Sequence, residues 1–187
     1  MSTEDAARAE VTLPNGVKVE ISGRKLTAQG PKGRVVRPFP SDVLYVTVHG
    51  NQLTVELGLP THRKRSRALL RTWVAHLQNI GGGLSRGVEA RLKIVAAHFP
   101  MKVSVKGNEL LVENFLGEKY PRSVRLVEGT TARVDGEFVT VEGFDLELVG
   151  QSAASIERTT RIREYDPRVF QDGIYLTERA HLKEEAS

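Results

Sequence analysis

The feature that most constrains the fold of this chain is an internal repetition of its sequence. The stretch VEISGRKLTAQGPKG at 19–33 aligns with VSVKGNELLVENFLG at 103–117, a shift of 84 residues. Further along, VTVHGNQLTVE at 46–56 aligns with ARVDGEFVTVE at 132–142, a shift of 86 residues. Because the matching segments follow the same order in both halves, the sequence predicts two copies of one folding unit.

The chain length agrees with two small units. Its 187 residues allow two copies of ~80–90 residues, within the usual range of domain sizes. In each copy strand-like segments precede a helical one, which would cover the bare face of the sheet. We therefore predict an α+β protein of two tandem similar domains, each an antiparallel sheet with a helix packed on one face. The predicted boundaries are a flexible leader at 1–10, a first repeat at 11–87, a second repeat at 88–178 and a tail at 179–187.

Alternating apolar residues and turn signals predict the strands. Val11–Ile21 is predicted to form a β-hairpin with Pro14–Gly16 as its turn. Val88–Phe99 is predicted to supply a strand that links the repeats. Further turns between strands are predicted at 23–25, 49–51, 106–108 and 135–136.

Two segments have a helical period instead. Four apolar residues recur at i, i+3, i+7 and i+10 and predict one buried helical face: Leu70, Trp73, Leu77 and Ile80. Thr61 is predicted to cap this helix, and Gly81–Gly83 to end it. A second helix is predicted from Gln151 to about Ile162, with Ala153, Ala154 and Ile156 on its inner face.

Composition excludes several classes of protein. Apolar residues make up 40% of the chain, which is enough for a core and rules out a wholly disordered chain. Cysteine is absent, so disulfides and thiolate metal sites cannot form, in agreement with a reducing cytosol. The longest uncharged stretch of apolar character, 72–85, is shorter than the ~20 residues of a membrane span. The N-terminus has no apolar signal core, so we expect neither secretion by a standard signal nor membrane insertion.

Charge is unevenly distributed along the chain. The net charge of +4 is a mild excess that favours a polyanionic partner. Residues 1–100 hold 15 basic and 7 acidic side chains, a net of +8, whereas residues 101–187 hold 12 and 16, a net of −4. A uniformly basic protein would not show this asymmetry.

The first candidate for binding chemistry is the basic run at 62–67, which continues to Arg71. Arg63, Arg67 and Arg71 stand one helical turn apart, so their charges repel unless an anion neutralises them. The row is interpreted as phosphate contacts or, alternatively, as a solvated start of the helix. Its members are Arg63, Lys64, Arg67 and Arg71.

Two further candidates lie in the second half. Residues 151–175 hold four arginines, which suit phosphate forks or, equally, an internal salt-bridge network. Glu157, for example, is spaced to pair with Arg161. Residues 113–122 combine Asn, Lys, Tyr and Arg with Gly and Pro. They form either a rigid loop that enters an RNA groove or an ordinary hairpin loop.

Catalytic chemistry has little support in the sequence. The glycine-rich run at 81–87 lacks the Gly-Lys-Ser/Thr ending of a phosphate loop. The five histidines show no metal-ligand spacing, and Ser152 is not part of a Gly-x-Ser-x-Gly turn. We therefore predict no catalytic residue, no metal, no cofactor and no small-molecule substrate.

A family resemblance extends over most of the chain. The segment VGQSAASIERTTRIREYDPRVFQDGIYL at 149–176 closely resembles the C-terminal signature of the large-subunit ribosomal protein L-six family, in its archaeal and eukaryotic form. LPNGVKVEISG, VTVHGNQL and VENFLGEKYPR resemble the other landmarks of this family. The resemblance covers about Val11 to Leu176, and the internal duplication of the family agrees with the repetition found above.

The resemblance implies a cytoplasmic, non-enzymatic constituent of the large ribosomal subunit that supports translation. It implies binding of large-subunit (23S-type) rRNA near the factor-binding region, the sarcin–ricin loop and the stalk base. Neighbouring ribosomal proteins are implied as partners, with translation factors nearby. In this family the second domain makes the main RNA contacts. The matching positions are Lys119, Tyr120, Pro121, Arg122, Gln151, Ser152, Arg158, Arg161, Arg163, Arg168, Phe170 and Asp172.

The charge asymmetry leaves an alternative function open. The half with the RNA-binding signature is the acidic half, although several of its acids, within 137–147, lie away from the arginines. The field near a groove depends on such local charges rather than on the sum over a domain. The alternative is a two-domain protein-interaction module that docks an acidic partner through its basic first helix.

Overall fold

The protein divides into two compact units, Met1–Gly87 and Val88–Ser187. The computed structural model describes residues 8–58, 64–163, 165–166 and 168–184. Among these residues, each unit contains one α-helix and two antiparallel sheets. The predicted fold class, two tandem α+β domains built on antiparallel sheets, is confirmed.

The first unit places one helix against two sheets. Its elements are β1 (Arg8–Thr12), β2 (Lys18–Ser22), β3 (Lys25–Gly30), β4 (Gly33–Pro38), β5 (Leu44–His49), β6 (Gln52–Leu57) and α1 (Lys64–Arg86). The strand orders are β1-β6-β5 and β2-β3-β4. The helix packs against β1, β3 and β6, and Leu77 and Leu84 on its apolar face are completely buried.

The second unit repeats this plan and adds one strand. Its elements are β7 (Val88–Val95), β8 (Lys102–Lys106), β9 (Glu109–Glu113), β10 (Arg122–Arg125), β11 (Thr130–Asp135), β12 (Phe138–Gly143), α2 (Leu146–Thr159) and β13 (Gly173–Leu182). The strand orders are β11-β12-β7-β13 and β10-β9-β8. β12 pairs with β7 as β6 pairs with β1, and β13 is the added strand on the far side of β7.

The core of the second unit positions α2. This helix packs against β7, β12 and β13. Leu92, Val139, Ile156 and Ile174 are at most 1% exposed. Burying each such side chain contributes ~1.5–3 kcal/mol, so α2 is held firmly on its sheet.

The hairpin predicted over Val11–Ile21 is wrong. β1 pairs with β6, with Val11 opposite Leu53, while β2 pairs with β3. Pro14–Gly16 instead connects two different sheets. Pairing with β6 completes a sheet that α1 covers, and local turn signals could not reveal this partner. β1 also includes residues 8–10, which the sequence had assigned to the leader.

The glycines at 81–83 do not end α1, as had been predicted. They are buried inside the helix, which continues to Arg86. A Cβ on Gly81 would lie 3.1 Å from Pro14 Cδ and 3.2 Å from Leu13 Cδ2, so glycine allows the chain before β2 to approach closely. The helix ends at Gly87, whose φ of +91° is left-handed. The predicted cap, Thr61, lies outside the described residues.

The second helix is displaced from its predicted position. It begins at Leu146 rather than Gln151 and ends at Thr159 rather than about Ile162. Ala153 and Ile156 face the core as predicted, whereas Ala154 is only half-buried. β13 continues to Leu182, so it includes residues that the sequence assigned to the tail.

Candidate nucleic-acid interface

The helix α2 presents the first of the predicted arginines. Asp145 caps its start, because Asp145 Oδ1 accepts a hydrogen bond from Glu147 N at 2.9 Å. The helical period turns Val149, Ala153 and Ile156 towards the core. Arg158, in the last turn, is exposed. A cation at this end also interacts favourably with the helix dipole.

The end of α2 is fastened to β13 by two side chains. Thr160 Oγ1 accepts a hydrogen bond from Ile174 N at 2.9 Å, and Glu157 Oε1 accepts one from Leu176 N at 2.9 Å. Glu157 therefore binds the strand rather than Arg161, which lies beyond the helix end. Arg161 and Arg163 are exposed and follow directly from this fixed point.

The loop between β9 and β10 presents a second group of predicted residues. Asn114 and Leu116 adopt left-handed backbone conformations, with φ of 58° and 50°. Such a conformation is uncommon for leucine, and the burial of its side chain beside Phe115 offsets the strain. Further along this loop three successive residues are exposed, with Tyr120 77% exposed: Lys119, Tyr120 and Pro121.

Two open clefts meet at Arg158. One has a volume of about 480 Å³ and is lined by Arg122, Ser123, Arg158, Thr159 and Arg163. The other, of about 540 Å³, is lined by residues of α2, the segment after it and β13, including Arg158, Arg161 and Tyr175. The structure thus brings the start of β10 together with the arginines at the end of α2.

The arginines around the end of α2 differ from other cations of the second unit in their ion pairs. Arg91, Lys93 and Arg122 form ion pairs with nearby glutamates. Across the part of the second unit that the structure describes, no carboxylate pairs with the exposed arginines of the signature: Arg158, Arg161, Arg163 and Arg168. The internal salt-bridge network considered from the sequence is therefore not seen among these residues, and the guanidiniums are available to an anion.

Ser152 lies inside the unit rather than on its surface. Its side chain is completely buried on α2. Ser152 Oγ accepts a hydrogen bond from Val127 N at 3.1 Å and lies 2.9 Å from Thr130 Oγ1. The hydroxyl therefore joins α2 to the chain between β10 and β11, and the structure gives it a supporting position.

Asp172 is also buried and connects the chain before β13 to the chain after β7. Its Oδ1 accepts hydrogen bonds from His98 N and Phe99 N at 2.9 and 3.2 Å, and its Oδ2 lies 2.9 Å from His98 Nδ1. Burial opposes ionisation, but these hydrogen bonds and the His98 ring outweigh it and lower the pKa of Asp172. Phe170 packs between His98 and Tyr165, with ring centroids 5.0 and 4.9 Å away.

Of the remaining signature residues, some are exposed on the surface and one makes contacts within the unit. Gln151 is exposed on α2, and Arg168 is exposed in the chain between α2 and β13. Arg122 is only half-buried but contacts Glu118 and the end of α2. The exposed members of the predicted set are therefore Lys119, Tyr120, Pro121, Gln151, Arg158, Arg161, Arg163 and Arg168.

The basic row of the first helix is described only in part. Arg63 lies outside the described residues, and α1 begins at Lys64. Arg67 and Arg71 are exposed and stand one turn apart on α1. Its first turn contains no acidic residue.

Sequence reasoning missed several residues of the site. Ser123 lines the cleft beside Arg122, and Tyr165 is 48% exposed beside Phe170. Glu118 stands four residues before Arg122, but outside a helix, where that spacing carries no signal for a pair. His98 is far from Asp172 in the sequence, so no local pattern could have connected them.

Two other kinds of site are absent from the described residues. No group of three or more His, Cys, Asp or Glu able to hold a metal ion occurs among them. Among the same residues, no helix has the length and apolar character needed to cross a membrane.

The fold and these surfaces define a class: a small, duplicated α+β protein with an arginine-lined surface on its second unit. A family model described as Ribosomal protein L6 matches the chain twice, at residues 13–87 and 99–173. The two matches correspond to the two repeats read from the sequence and confirm the internal duplication.

Curated relatives are similar over nearly the whole chain. The large ribosomal subunit protein uL6 of Methanococcus vannielii is 40% identical over 173 residues, which cover 92% of this chain and 94% of that protein. The uL6 proteins of Methanosarcina mazei and Methanospirillum hungatei are each 42% identical over 170 residues, covering 91% of this chain and 96% of the relative.

This chain belongs to the ribosomal protein L6 family. The resemblance inferred from the sequence motifs is confirmed. Membership supports a structural role in the large ribosomal subunit and agrees with the predicted cytoplasmic, ribosomal location.

Proposed function

We propose that this protein binds large-subunit rRNA through its second unit, near the factor-binding region, the sarcin–ricin loop and the stalk base. The position on the subunit follows from the family resemblance. The observation that carries RNA binding is the group of arginines without a carboxylate partner in the described structure, gathered around the end of α2: Arg158, Arg161 and Arg163.

The mode of binding we propose is contact with the RNA backbone and its shape. Guanidiniums suit bidentate contacts with phosphate. The hydroxyl of Ser123 and the exposed loop at 119–121 lie on the same unit as these cations. The major groove of A-form RNA is too deep and narrow for side chains to read its base edges, so recognition rests mainly on phosphates and sugars. The protein performs no bond-making step in this proposal.

A salt titration of RNA binding tests the proposal. We expect Arg161→Ala with Arg163→Ala to weaken binding to a large-subunit rRNA fragment and to impair incorporation into large subunits. Each lost phosphate contact lowers the log–log salt slope by ~0.7–0.9. A matched control, Arg133→Ala with Arg179→Ala, removes two exposed strand arginines that line neither cleft. Equal slopes for the two double variants would contradict the proposal.

The basic row of α1 is proposed as a second, weaker cationic surface. Arg67 and Arg71 are exposed on the same helix, and the row is expected to reach RNA or a neighbouring ribosomal protein. Nuclease treatment before purification separates this proposal from docking of an acidic protein. A protein partner that stays bound after nuclease treatment, but is lost in the double variant Arg67→Ala with Arg71→Ala, would support the alternative function as a protein-interaction module.

A further inference from the structure

Arg122 occupies a different position from the other signature arginines. Its Nε and Nη2 donate to the two carboxylate oxygens of Glu118 at 2.9 and 2.6 Å. Its Nη1 donates to the carbonyl oxygens of Thr159 at 2.7 Å and Arg161 at 3.3 Å. Its guanidinium carbon lies 4.3 Å from the centre of the Phe115 ring. One side chain thus joins the β9–β10 loop to the end of α2.

These contacts leave little capacity for a phosphate. A guanidinium has five N–H donors and binds phosphate best through two donors on one edge. The Nε–Nη2 edge of Arg122 is occupied by Glu118, and Nη1 is shared between two carbonyls. The Glu118 charge also cancels that of Arg122 nearby, so the pair adds little to the cationic field. The pair instead fixes the position of the β9–β10 loop relative to the end of α2.

The carbonyls that Arg122 binds belong to the segment that carries the exposed arginines. The last carbonyls of a helix have no partner within the helix, and a cation there is favourable. Thr159 is the final residue of α2 and is followed by Arg161 and Arg163. Holding these carbonyls fixes the path of the backbone from which both side chains leave.

We propose that Arg122 is a positioning residue, braced by Glu118 and Phe115, that orients the end of α2 for RNA without itself binding phosphate. This proposal rests on the proposed function. It predicts that the acid Glu118 is needed for RNA binding, whereas simple electrostatics predicts that removing an acid beside RNA strengthens binding. The positioning role and simple electrostatics therefore predict opposite changes in RNA affinity when the charge of Glu118 is removed.

The first test is Glu118→Gln, which keeps the size of the side chain and removes its charge. We expect binding to the rRNA fragment to weaken by roughly threefold or more, as for contacts that are coupled. Glu128→Gln is the matched control, because Glu128 is an exposed acid of the same unit that lines neither cleft. Binding by Glu118→Gln that is equal to or tighter than that of the control would overturn the proposal.

The second test compares Arg122→Lys with Arg122→Met. A phosphate-binding cation would keep part of its effect as lysine, because the charge is retained although the bidentate fork is lost. The lysine variant would then bind RNA more tightly than the methionine variant. A positioning residue would lose its effect as lysine. An ammonium cannot hydrogen-bond both carboxylate oxygens and two carbonyls at once in the way that the planar guanidinium does. We expect the lysine and methionine variants to bind RNA equally weakly. A lysine variant that binds RNA clearly more tightly than the methionine variant would refute the positioning role.

Two controls distinguish the positioning role of Arg122 from a general loss of stability and from failure of the proposed function. The melting temperature of each variant reports global stability, and amide hydrogen exchange at residues 159–163 is expected to rise in Glu118→Gln even where the melting temperature is unchanged. Unchanged exchange there would count against the brace. If Arg161→Ala with Arg163→Ala weakens RNA binding while Glu118→Gln does not, only the brace fails. If neither weakens it, the proposed function fails as well.

Discussion

Replacing Ser152 by alanine tests whether a signature residue supports the fold or contacts RNA. Its hydroxyl is completely buried and accepts a hydrogen bond from Val127 N. Alanine leaves this N–H without its partner. Thr130 Oγ1 keeps a bond to Val127 O at 2.7 Å, so the loss is confined to one donor. We expect the second unit to be less stable and the surface proposed to bind RNA to be unchanged.

The magnitude follows from two opposing effects. An N–H left without a partner costs about 1–3 kcal/mol when it is buried, and Val127 is half-buried. Alanine recovers up to ~0.5 kcal/mol because it favours a helix more than serine does. We therefore expect a net loss of about 0.5–1.5 kcal/mol, which is the lower part of that range less the gain from alanine. Each kcal/mol lowers the melting temperature of a unit this size by roughly 4–8 °C.

The assay must report on the second unit. The single tryptophan, Trp73, lies in the first unit, so its fluorescence does not report directly on the second. Amide exchange at Val127 together with urea unfolding followed by circular dichroism provides the readout. Ser155→Ala is the matched control on α2, since its hydroxyl has no hydrogen-bond partner in the described structure and the helix gains the same alanine.

Two results would refute this reasoning. One is equal stability of Ser152→Ala and Ser155→Ala, which would mean that the buried bond contributes nothing. The other is a stable Ser152→Ala protein that loses RNA affinity with a smaller salt slope, which would make Ser152 part of the interface.

The remaining predictions concern acid stability and one turn. The lowered pKa of Asp172 means that its carboxylate stabilises the second unit above the unfolded value of ~3.9, and that this stability is lost as pH falls through the lower folded value. Asp172→Asn is therefore expected to be less stable than the wild type at pH 7, and its stability is expected to depend less on pH below about 4. Acid unfolding of the variant at the same pH and with the same steepness as the wild type would contradict this prediction. Gly107 has a φ of +61°, and a Cβ added there would meet no atom within 4 Å, so Gly107→Ala is expected to cost about 1 kcal/mol for the backbone alone. Gly107→Asn should cost less, and equal melting temperatures for all three proteins would contradict this.

Local signals made much of the fold predictable. The turns at Gly50, Gly107 and Gly136 have φ between 56° and 61°, a conformation that glycine adopts readily. Each lies between strands with period-two alternation, so both the turn and its strands are visible in the sequence. The repetition then placed these hairpins in two similar units.

Pairing between distant segments was not predictable in this way. The partner of β1 is β6 rather than β2, because the stability of a strand depends on which sheet it completes and not only on the nearest turn. The glycines at 81–83 likewise resemble a helix end in the sequence but serve close packing inside α1.

The candidate site shows the same limit for side chains. The motif at 149–176 indicated where the site lies, but a motif does not distinguish residues that face a ligand from residues that hold the fold. Ser152 and Asp172 are buried and hydrogen-bonded within the unit, whereas Arg158 and Arg161 are exposed. Only the direction of each side chain, set by the tertiary structure, separates the two groups.

The pairing of β13 has a consequence for the order of events during synthesis. β13 leaves the ribosome after every other element of its sheet, yet it supplies the amides of Ile174 and Leu176 that secure the end of α2. The guanidiniums therefore reach their final arrangement only once this strand has emerged. A nascent chain that stops before Gly173 is expected to carry the arginines without the geometry that presents them. If these arginines bind RNA as proposed, an unfinished protein is expected to capture RNA poorly.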